Sequence, residues 1–257
     1  MSDFKPRHFA IVPAAGSGSR MASERPKQYL DLLGRPLIRH ALEVFCESPL
    51  IEKVFVVLSV GDIEWNRYDW RELGPKLEPL FCGGPTRADS VLNGLRTISD
   101  RVAHSDWVLV HDAARCLLRP EWVDALIDAC AGDAVGGLLA QPLADTLKQA
   151  GAGGRVAATV DRSGKWAAQT PQMFRLGLLR RALAAAGPGV TDEAAAVESL
   201  GLAPRLVAAP LENFKLTWPE DFELAERLLR ARERLAKASQ PEAAAATISA
   251  ACREGTR

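Results

Sequence analysis

Small residues and cations are interleaved in the stretch PAAGSGSRMASERPKQY, which covers residues 13–29. Gly, Ala and Ser allow backbone N–H groups to approach an anion closely, and a Gly-rich turn between a strand and a helix is a phosphate-binding arrangement. Arg20 and Lys27 add positive charge at positions that could fold over a polyphosphate. Two familiar motifs fail, because no Gly-Lys-Ser/Thr follows the glycines and Met21 occupies the third glycine position of GxGxxG. The stretch therefore predicts another kind of polyphosphate site, with a tight turn carrying solvated charges as the alternative.

A carboxylate follows a second apolar run at a position that suits the same chemistry. Asp112 comes directly after WVLVH at 107–111, and in open parallel sheets ligands bind beyond the carboxyl ends of the strands. A carboxylate beside a polyphosphate is favourable mainly through Mg²⁺, a hard cation that prefers oxygen ligands. The residue is therefore a candidate metal ligand, and the alternative is a carboxylate that caps a turn. His111 is expected to pack locally, because no other His or Cys is spaced as a metal partner.

These residues need a scaffold, and the chain alternates short apolar runs with amphipathic helical patterns. The runs predict strands at 9–15, 54–60, 107–114 and 134–143, and the helical patterns lie at 36–45, 87–98 and 121–131. This order predicts a doubly wound, mostly parallel α/β sheet with right-handed crossovers.

The alternation breaks at 144–174, which is polar, rich in Gly and strand-like in pieces. We expect this part to leave the main sheet as a protruding β-arm at about residues 140–170. Further on, the sequence NFKLTW at 213–218 predicts a strand, then a turn at Trp218–Pro219 and an amphipathic helix. We expect one domain at 1–238 and a flexible, Ala-rich tail at 239–257.

Composition excludes several other classes of protein. Lys plus Arg and Asp plus Glu number 32 each, so no global basic field favours nucleic acid. The five Cys are scattered without a CxxC pair, which predicts reduced thiols and a cytoplasmic protein rather than a disulfide framework or a metal site. No apolar run approaches the roughly 18 residues that span a bilayer, so no membrane association is expected.

Several segments, taken in order, resemble one enzyme family. Together with PAAGSGSRM and PKQY, they resemble the 2-C-methyl-D-erythritol 4-phosphate cytidylyltransferases, over about residues 8–230. The further segments are GGPTRADSVLNGL (83–95), VHDAARCLL (110–118), ADTLK (144–148), TVDRSGKWAAQTPQMF (159–174), VTDEAAAVE (190–198) and NFKLTWPEDFELAE (213–226). The resemblance implies a Rossmann-like nucleotidyltransferase fold and the transfer of CMP from CTP to methylerythritol phosphate, with release of pyrophosphate. The acceptor phosphate would attack the α-phosphorus of CTP.

The resemblance also implies a set of site residues. Negative charge that develops on the phosphates would be stabilised by cationic residues, which are Arg20, Lys27 and Lys215. The nucleotide would be bound by Ala14, Ala15, Gly16, Gly84, Ser90, Asp112 and Ala113. The acceptor would be bound by Arg115, Thr146, Arg162, Thr170, Thr191 and Lys215. Asp112 would hold Mg²⁺, and the family implies a homodimer in which the β-arm reaches into the partner's site.

Two residues depart from the family pattern, and two alternative functions remain open. Pro85 stands where better-known members often have an acidic residue, so base recognition there must rest on backbone groups, and Trp218 stands where Arg is frequent. The nearest alternative is a ribitol 5-phosphate cytidylyltransferase, or another sugar- or polyol-phosphate nucleotidyltransferase. A non-catalytic nucleotide-binding protein is disfavoured, because it would be expected to lose Arg20, Lys27 or Lys215.

Overall fold

The chain folds into strands and helices whose order follows much of the predicted alternation. The computed structural model describes residues 6–16, 25–187 and 189–254, with side chains as far as residue 238. The strands are β1 (His8–Pro13), β2 (Asp31–Leu32), β3 (Arg35–Pro36), β4 (Ile51–Val57), β5 (Leu77–Leu80), β6 (Trp107–Val110), β7 (Gly136–Pro142), β8 (Leu147–Ala150), β9 (Val156–Val160), β10 (Trp166–Arg175) and β11 (Arg205–Ala208). The α-helices are α1 (Leu37–Glu47), α2 (Arg87–Thr97), α3 (Pro120–Cys130), α4 (Leu176–Ala185), α5 (Glu193–Glu198) and α6 (Pro219–Glu254).

A seven-stranded sheet organises the molecule, in the order β11-β7-β10-β6-β1-β4-β5. All pairs in it are parallel except those made by β10, which runs antiparallel to both β6 and β7. The prediction of a mostly parallel α/β sheet is confirmed. The antiparallel strand was not predicted, and it enters the sheet because the chain returns to it from the β-arm.

Helices cover both faces of the sheet, as a doubly wound fold requires. Along β1, Ala10 and Val12 pack into one buried cluster with α1 and α3, and Phe9 and Ile11 pack into a second cluster with α2, α4 and α5. Successive side chains of a strand point to opposite faces, so a strand covered on both sides reads as an unbroken apolar run. This explains why apolar runs in the sequence predicted the strands β1, β4 and β6.

The β-arm consists of the antiparallel pair β8 and β9, which forms a separate two-stranded sheet between β7 and β10. Most of its side chains are exposed, including the apolar Val156. An isolated hairpin of this kind is marginally stable in water.

The prediction of a strand at 213–218 is wrong. Leu211–Asn213 form a 3₁₀ turn, and residues 214–217 take part in no strand. The backbone N–H of Leu216 donates instead to the carbonyl of Ala114, so this segment is fixed to the loop after β6 by one hydrogen bond rather than by a ladder. Helix α6 continues to Glu254, and flexibility of residues 239–257 stays a prediction.

Candidate active site

A cavity of about 670 Å³ opens beyond the carboxyl ends of β1 and β6. The loops after β1, β5 and β6 form its walls, together with the segments around Lys27 and Lys215. Of the residues predicted to act on a nucleotide, it brings together Ala14, Ala15, Gly16, Lys27, Gly84, Ser90, Asp112, Ala113 and Lys215. Arg20 lies outside the described residues.

The first wall joins the end of β1 to the segment that carries Lys27. The backbone N–H of Ala14 donates to the carbonyl of Val57, which aligns the loop with β4. The buried side chain of Gln28 donates from Nε2 to the carbonyl of Ala14 at 2.6 Å. Because Gln28 follows Lys27 directly, this bond sets the distance between the Gly-containing loop and the lysine.

A buried tyrosine anchors the same segment from the other side. Tyr29 is 1% exposed and donates from its hydroxyl to Asp62 Oδ2 at 2.9 Å, while its ring stacks on Tyr68 with centroids 5.8 Å apart. Burial raises the pKa of Tyr29, and the carboxylate of Asp62 raises it further, so the phenol stays protonated. The aromatic run at 65–70 was not recognised as part of the site, although its density of Trp and Tyr was a usable signal.

The second wall is the glycine loop before α2. A Cβ added to Gly84 would lie 2.5 Å from Cβ of Asp89, so the chain can turn here only as glycine. Thr86 and Asp89 then form a capping box at the start of the helix. Ser90 Oγ accepts from the N–H of Gly84 at 3.0 Å and donates to the carbonyl of Thr86 at 2.9 Å. Ser90 therefore fixes the loop, and its contact with a base stays a prediction.

Asp112 is the centre of a network of charges at the floor of the cavity. Arg87 Nε donates to Asp112 Oδ1 at 2.7 Å, and Lys215 Nζ lies 2.7 Å from Asp112 Oδ2. Arg87 also meets Glu193 with two hydrogen bonds, from Nη1 to Oε1 at 2.7 Å and from Nη2 to Oε2 at 3.0 Å. Sequence reasoning missed Arg87 and Glu193, although RADS and TDEAA are parts of the segments that carry the resemblance.

The charges of the network keep Asp112 ionised. Burial alone would raise the pKa of its carboxyl, but Arg87 and Lys215 lower it more, and the result lies well below the usual range. Burial would lower the pKa of Arg87, but Glu193 and Asp112 outweigh it, so this pKa is raised. Arg87, Asp112 and Lys215 line the cavity, and Glu193 contacts Arg87 from behind this lining, so two cations and two carboxylates are in direct contact.

The residues predicted to bind the acceptor lie outside the cavity lining, with the exception of Lys215. Arg115 donates to the carbonyls of Asn213 and Ala168, at 2.6 and 3.2 Å. Thr170 Oγ1 accepts from the N–H of Asp112 at 3.0 Å. This hydroxyl therefore positions the loop at residues 111–115, which follows β6 and carries Asp112. Thr191 is exposed before α5, and Thr146 and Arg162 are exposed on the β-arm.

Lys215 reaches the cavity from a loop rather than from a strand end. Leu216 is fully buried and packs against Leu37 and Leu117, which holds the backbone of the loop in place. The N–H groups of Thr217 and Trp218 both donate to Asp221 Oδ2, at 2.5 and 2.8 Å, and so connect the loop to the start of α6. The side chain of Trp218 is exposed.

A doubly wound sheet that brings a Gly-containing loop, two lysines and the carboxylate of Asp112 to its carboxyl edge fits a nucleotidyltransferase. A family model described as 2-C-methyl-D-erythritol 4-phosphate cytidylyltransferase matches residues 8–231. The chain belongs to that family, and it is therefore a cytidylyltransferase enzyme.

Individual relatives agree with this assignment. The chain is 66% identical over 232 residues to the 2-C-methyl-D-erythritol 4-phosphate cytidylyltransferase of Azoarcus sp. (strain BH72), a match that covers 90% of this chain and 98% of the relative. The corresponding protein of Aromatoleum aromaticum is 62% identical, with 90% of this chain and 99% of the relative covered. Among solved structures, a 4-diphosphocytidyl-2C-methyl-D-erythritol synthase is 40% identical with a TM-score of 0.79, and 88% of this chain and 100% of that chain are covered.

Proposed function

We propose that the protein transfers CMP from CTP to 2-C-methyl-D-erythritol 4-phosphate, giving the CDP-alcohol and pyrophosphate, as a step of isoprenoid precursor biosynthesis. The observation that carries the proposal is the cavity at the ends of β1 and β6, where a small-residue loop, Lys27, Lys215 and Asp112 converge. Relatives at high identity that carry this name support the methylerythritol phosphate acceptor. The names of these relatives do not favour the ribitol 5-phosphate alternative.

The reaction needs alignment and charge stabilisation more than proton transfer. An acceptor phosphate is already an anion when it attacks the α-phosphorus, and negative charge then grows on the phosphoryl oxygens and on the departing pyrophosphate. Lys27 and Lys215 line the cavity and would stabilise this charge. The role of Arg20 stays a prediction.

A divalent cation fits the site as a partner of the nucleotide. Within the described residues, no group of three or more His, Cys, Asp or Glu side chains could hold a metal ion by itself. Mg²⁺ is usually bound by one or two carboxylates together with substrate phosphates and water, and Asp112 supplies a carboxylate that stays ionised. When bound, the ion would neutralise charge on the triphosphate.

Selection of cytosine would depend on backbone groups of the loop at 83–85, which Ser90 holds in shape. Pro85 lines the cavity and has no N–H donor, and the N–H groups of Gly84 and Thr86 are bonded to Ser90 Oγ and Asp89 Oδ2, so carbonyl oxygens of this loop are the candidates for contact with the amino group of the base.

The acceptor site would be completed by a second copy of the chain. Thr146 and Arg162 lie on the exposed β-arm rather than in the cavity lining. Apolar side chains are also exposed on the arm, at the start of β10 and on the edge strand β11, namely Val156, Trp166 and Leu206. Packing of two arms about a two-fold axis would bury such residues and would bring arm residues to the partner's cavity.

The location of the protein stays a prediction. Cys46, Cys82, Cys116 and Cys130 are free thiols, as the expectation of a cytoplasmic protein requires. Among the helices in the described part of the chain, none is long and apolar enough to cross a membrane.

A pyrophosphate-release assay tests the activity. It is run with each of the four ribonucleoside triphosphates, with methylerythritol phosphate and ribitol 5-phosphate as acceptors, in Mg²⁺ and in excess chelator. We expect release only with CTP, methylerythritol phosphate and Mg²⁺ together. Equal turnover with another triphosphate would contradict the choice of CTP. A preference for ribitol phosphate would contradict the acceptor, and full activity in chelator would contradict the need for a divalent cation.

A further inference from the structure

One arginine links the floor of the cavity to a carboxylate that does not line this cavity. The guanidinium of Arg87 uses Nε for Asp112 and both Nη atoms for Glu193. The side chain of Glu193 is 0% exposed and does not line the cavity. A buried carboxylate is costly unless it is paired, and this pair fixes the guanidinium in one orientation.

The two cations on Asp112 are held very differently. Arg87 makes three hydrogen bonds to two carboxylates, and its side chain is 28% exposed. Lys215 meets Asp112 at a single oxygen, and its side chain is 45% exposed on a flexible four-carbon stem. If another cation needs an oxygen of Asp112, Lys215 is therefore the partner that can leave.

The backbone of Asp112 is fixed as well. The N–H of Asp112 donates to Thr170 Oγ1, and the carbonyl of Asp112 accepts from the N–H of Arg115 at 2.9 Å. With its backbone and Oδ1 both fixed, the carboxylate has one oxygen, Oδ2, that faces a displaceable group.

We propose that Glu193 is a positioning residue that acts through Arg87: it holds Oδ1 of Asp112, so that Oδ2 is the oxygen at which Lys215 and a divalent cation exchange. The inference rests on the proposed function, because the ligand is CTP with its divalent cation. The exchange has a consequence for the reaction. The ammonium group of Lys215 leaves Asp112 as the triphosphate arrives, and becomes available to the phosphates.

The variant Glu193→Gln tests the inference with Mn²⁺ as the probe. Glutamine keeps the shape of the side chain but removes the charge, so the guanidinium of Arg87 loses one partner and competes for both oxygens of Asp112. With a non-hydrolysable α,β-methylene analogue of CTP at saturation, the dissociation constant of Mn²⁺ is measured from the electron paramagnetic resonance signal of the free ion. We expect it to rise about 10-fold, the effect of one lost charge-assisted hydrogen bond. The affinity for the analogue without metal should change less than about twofold, since Glu193 does not face the cavity.

Two further variants separate positioning from a general structural effect. In an Arg87→Met background the Gln substitution should change Mn²⁺ binding no further, because Glu193 would act only through that arginine. Glu193→Asp keeps the charge and should recover part of the Mn²⁺ affinity. Additive effects in the double variant, or no recovery with Asp, would overturn the inference.

A variant in the lining of the cavity decides between the two outcomes if Glu193→Gln does not fold. Lys215→Met leaves the buried pair intact and removes the competitor at Oδ2, so Mn²⁺ should bind the analogue complex more tightly than in the wild type. An unchanged or weaker Mn²⁺ affinity would refute the exchange. Failure of the wild type to bind the analogue at all would instead refute the proposed function.

Discussion

Replacement of Gly83 by Ala should disable the nucleotide site through a steric effect that the structure locates closely. A Cβ at this position would lie 2.3 Å from Cβ of Ala15 and 2.8 Å from the carbonyl oxygen of Leu58. The N–H of Gly83 donates to that same carbonyl, so the glycine cannot move away from β4 without loss of the hydrogen bond. The loop after β1 must move instead.

The size of the effect follows from the contact distance. Nonbonded carbon atoms rest about 3.5–4.0 Å apart, so the two Cβ atoms, 2.3 Å apart, must separate by about 1.2–1.7 Å. A misplacement of about 1 Å in a positioning contact can cost about 10²-fold in rate, and overpacking of this kind costs about 1–3 kcal/mol of folding free energy. We therefore expect kcat/KM for CTP to fall about 10²-fold while the protein remains folded.

The assay is pyrophosphate release at subsaturating CTP, with folding followed by thermal denaturation. Gly132→Ala is the matched control, because a Cβ there meets no atom within 4 Å, and its kcat/KM should stay at the wild-type value. Wild-type kcat/KM in the Gly83 variant would refute the argument that the close contact of the two loops shapes the site.

Lys27→Ala should lower kcat about 10²–10³-fold, as does removal of a preorganised donor to a transition state. Lys237→Ala, on the exposed face of α6, is its control, and near-normal turnover of the Lys27 variant would count against a catalytic lysine. A mixture of inactive Lys27→Ala and Arg162→Ala subunits should recover roughly a quarter of wild-type activity, because half of randomly paired dimers have one intact site. No recovery after verified subunit exchange would show that each site is built from one chain. Tyr29→Phe removes the hydroxyl donor of Asp62 Oδ2, while Oδ1 keeps the N–H groups of Glu64 and Trp65, and it should cost about 1–3 kcal/mol in urea denaturation. An unchanged midpoint would contradict an anchoring role of the hydroxyl. Burial raises the pKa of Cys46 to about 11, so its alkylation by iodoacetamide, followed by peptide mass spectrometry, should be slow at neutral pH and accelerate up to about that pH. Fast labelling of folded protein at pH 7 would contradict the burial.

Local patterns made the scaffold and the first loop predictable. The apolar runs of β1, β4 and β6 are buried on both faces, and that burial is what a continuous apolar run reports. The segment NFKLTW misled because Phe214 and Leu216 alternate with polar residues although no neighbouring strand is available to pair with them. The short strand β5 contains a proline, and a proline argues against a strand, so the sequence pattern did not predict β5.

The charge network could not be foreseen from one sequence. Arg87 and Glu193 are separated by 106 positions, and Arg87 and Asp112 by 25, so no periodicity connects them. Their contact depends on how α2, the loop after β6 and α5 meet in three dimensions. Resemblance identified the segments that contain them, but only the fold shows which atoms meet.

The irregular pairing of β10 with β7 limits how the arm can be re-engineered. The register shifts between Ala168 and Gln172, and Thr170, within this interval, accepts the hydrogen bond from Asp112. A change of length at the hairpin tip, residues 151–155, is confined to exposed backbone and should be absorbed there. Deletion of one residue between 166 and 170 would turn the side chains in this part of β10 to the opposite face of the strand. It would also move the hydroxyl of Thr170 away from the N–H of Asp112. Chain length at the tip is thus independent of the register of the main sheet, whereas at the base of the returning strand it is fixed by that register.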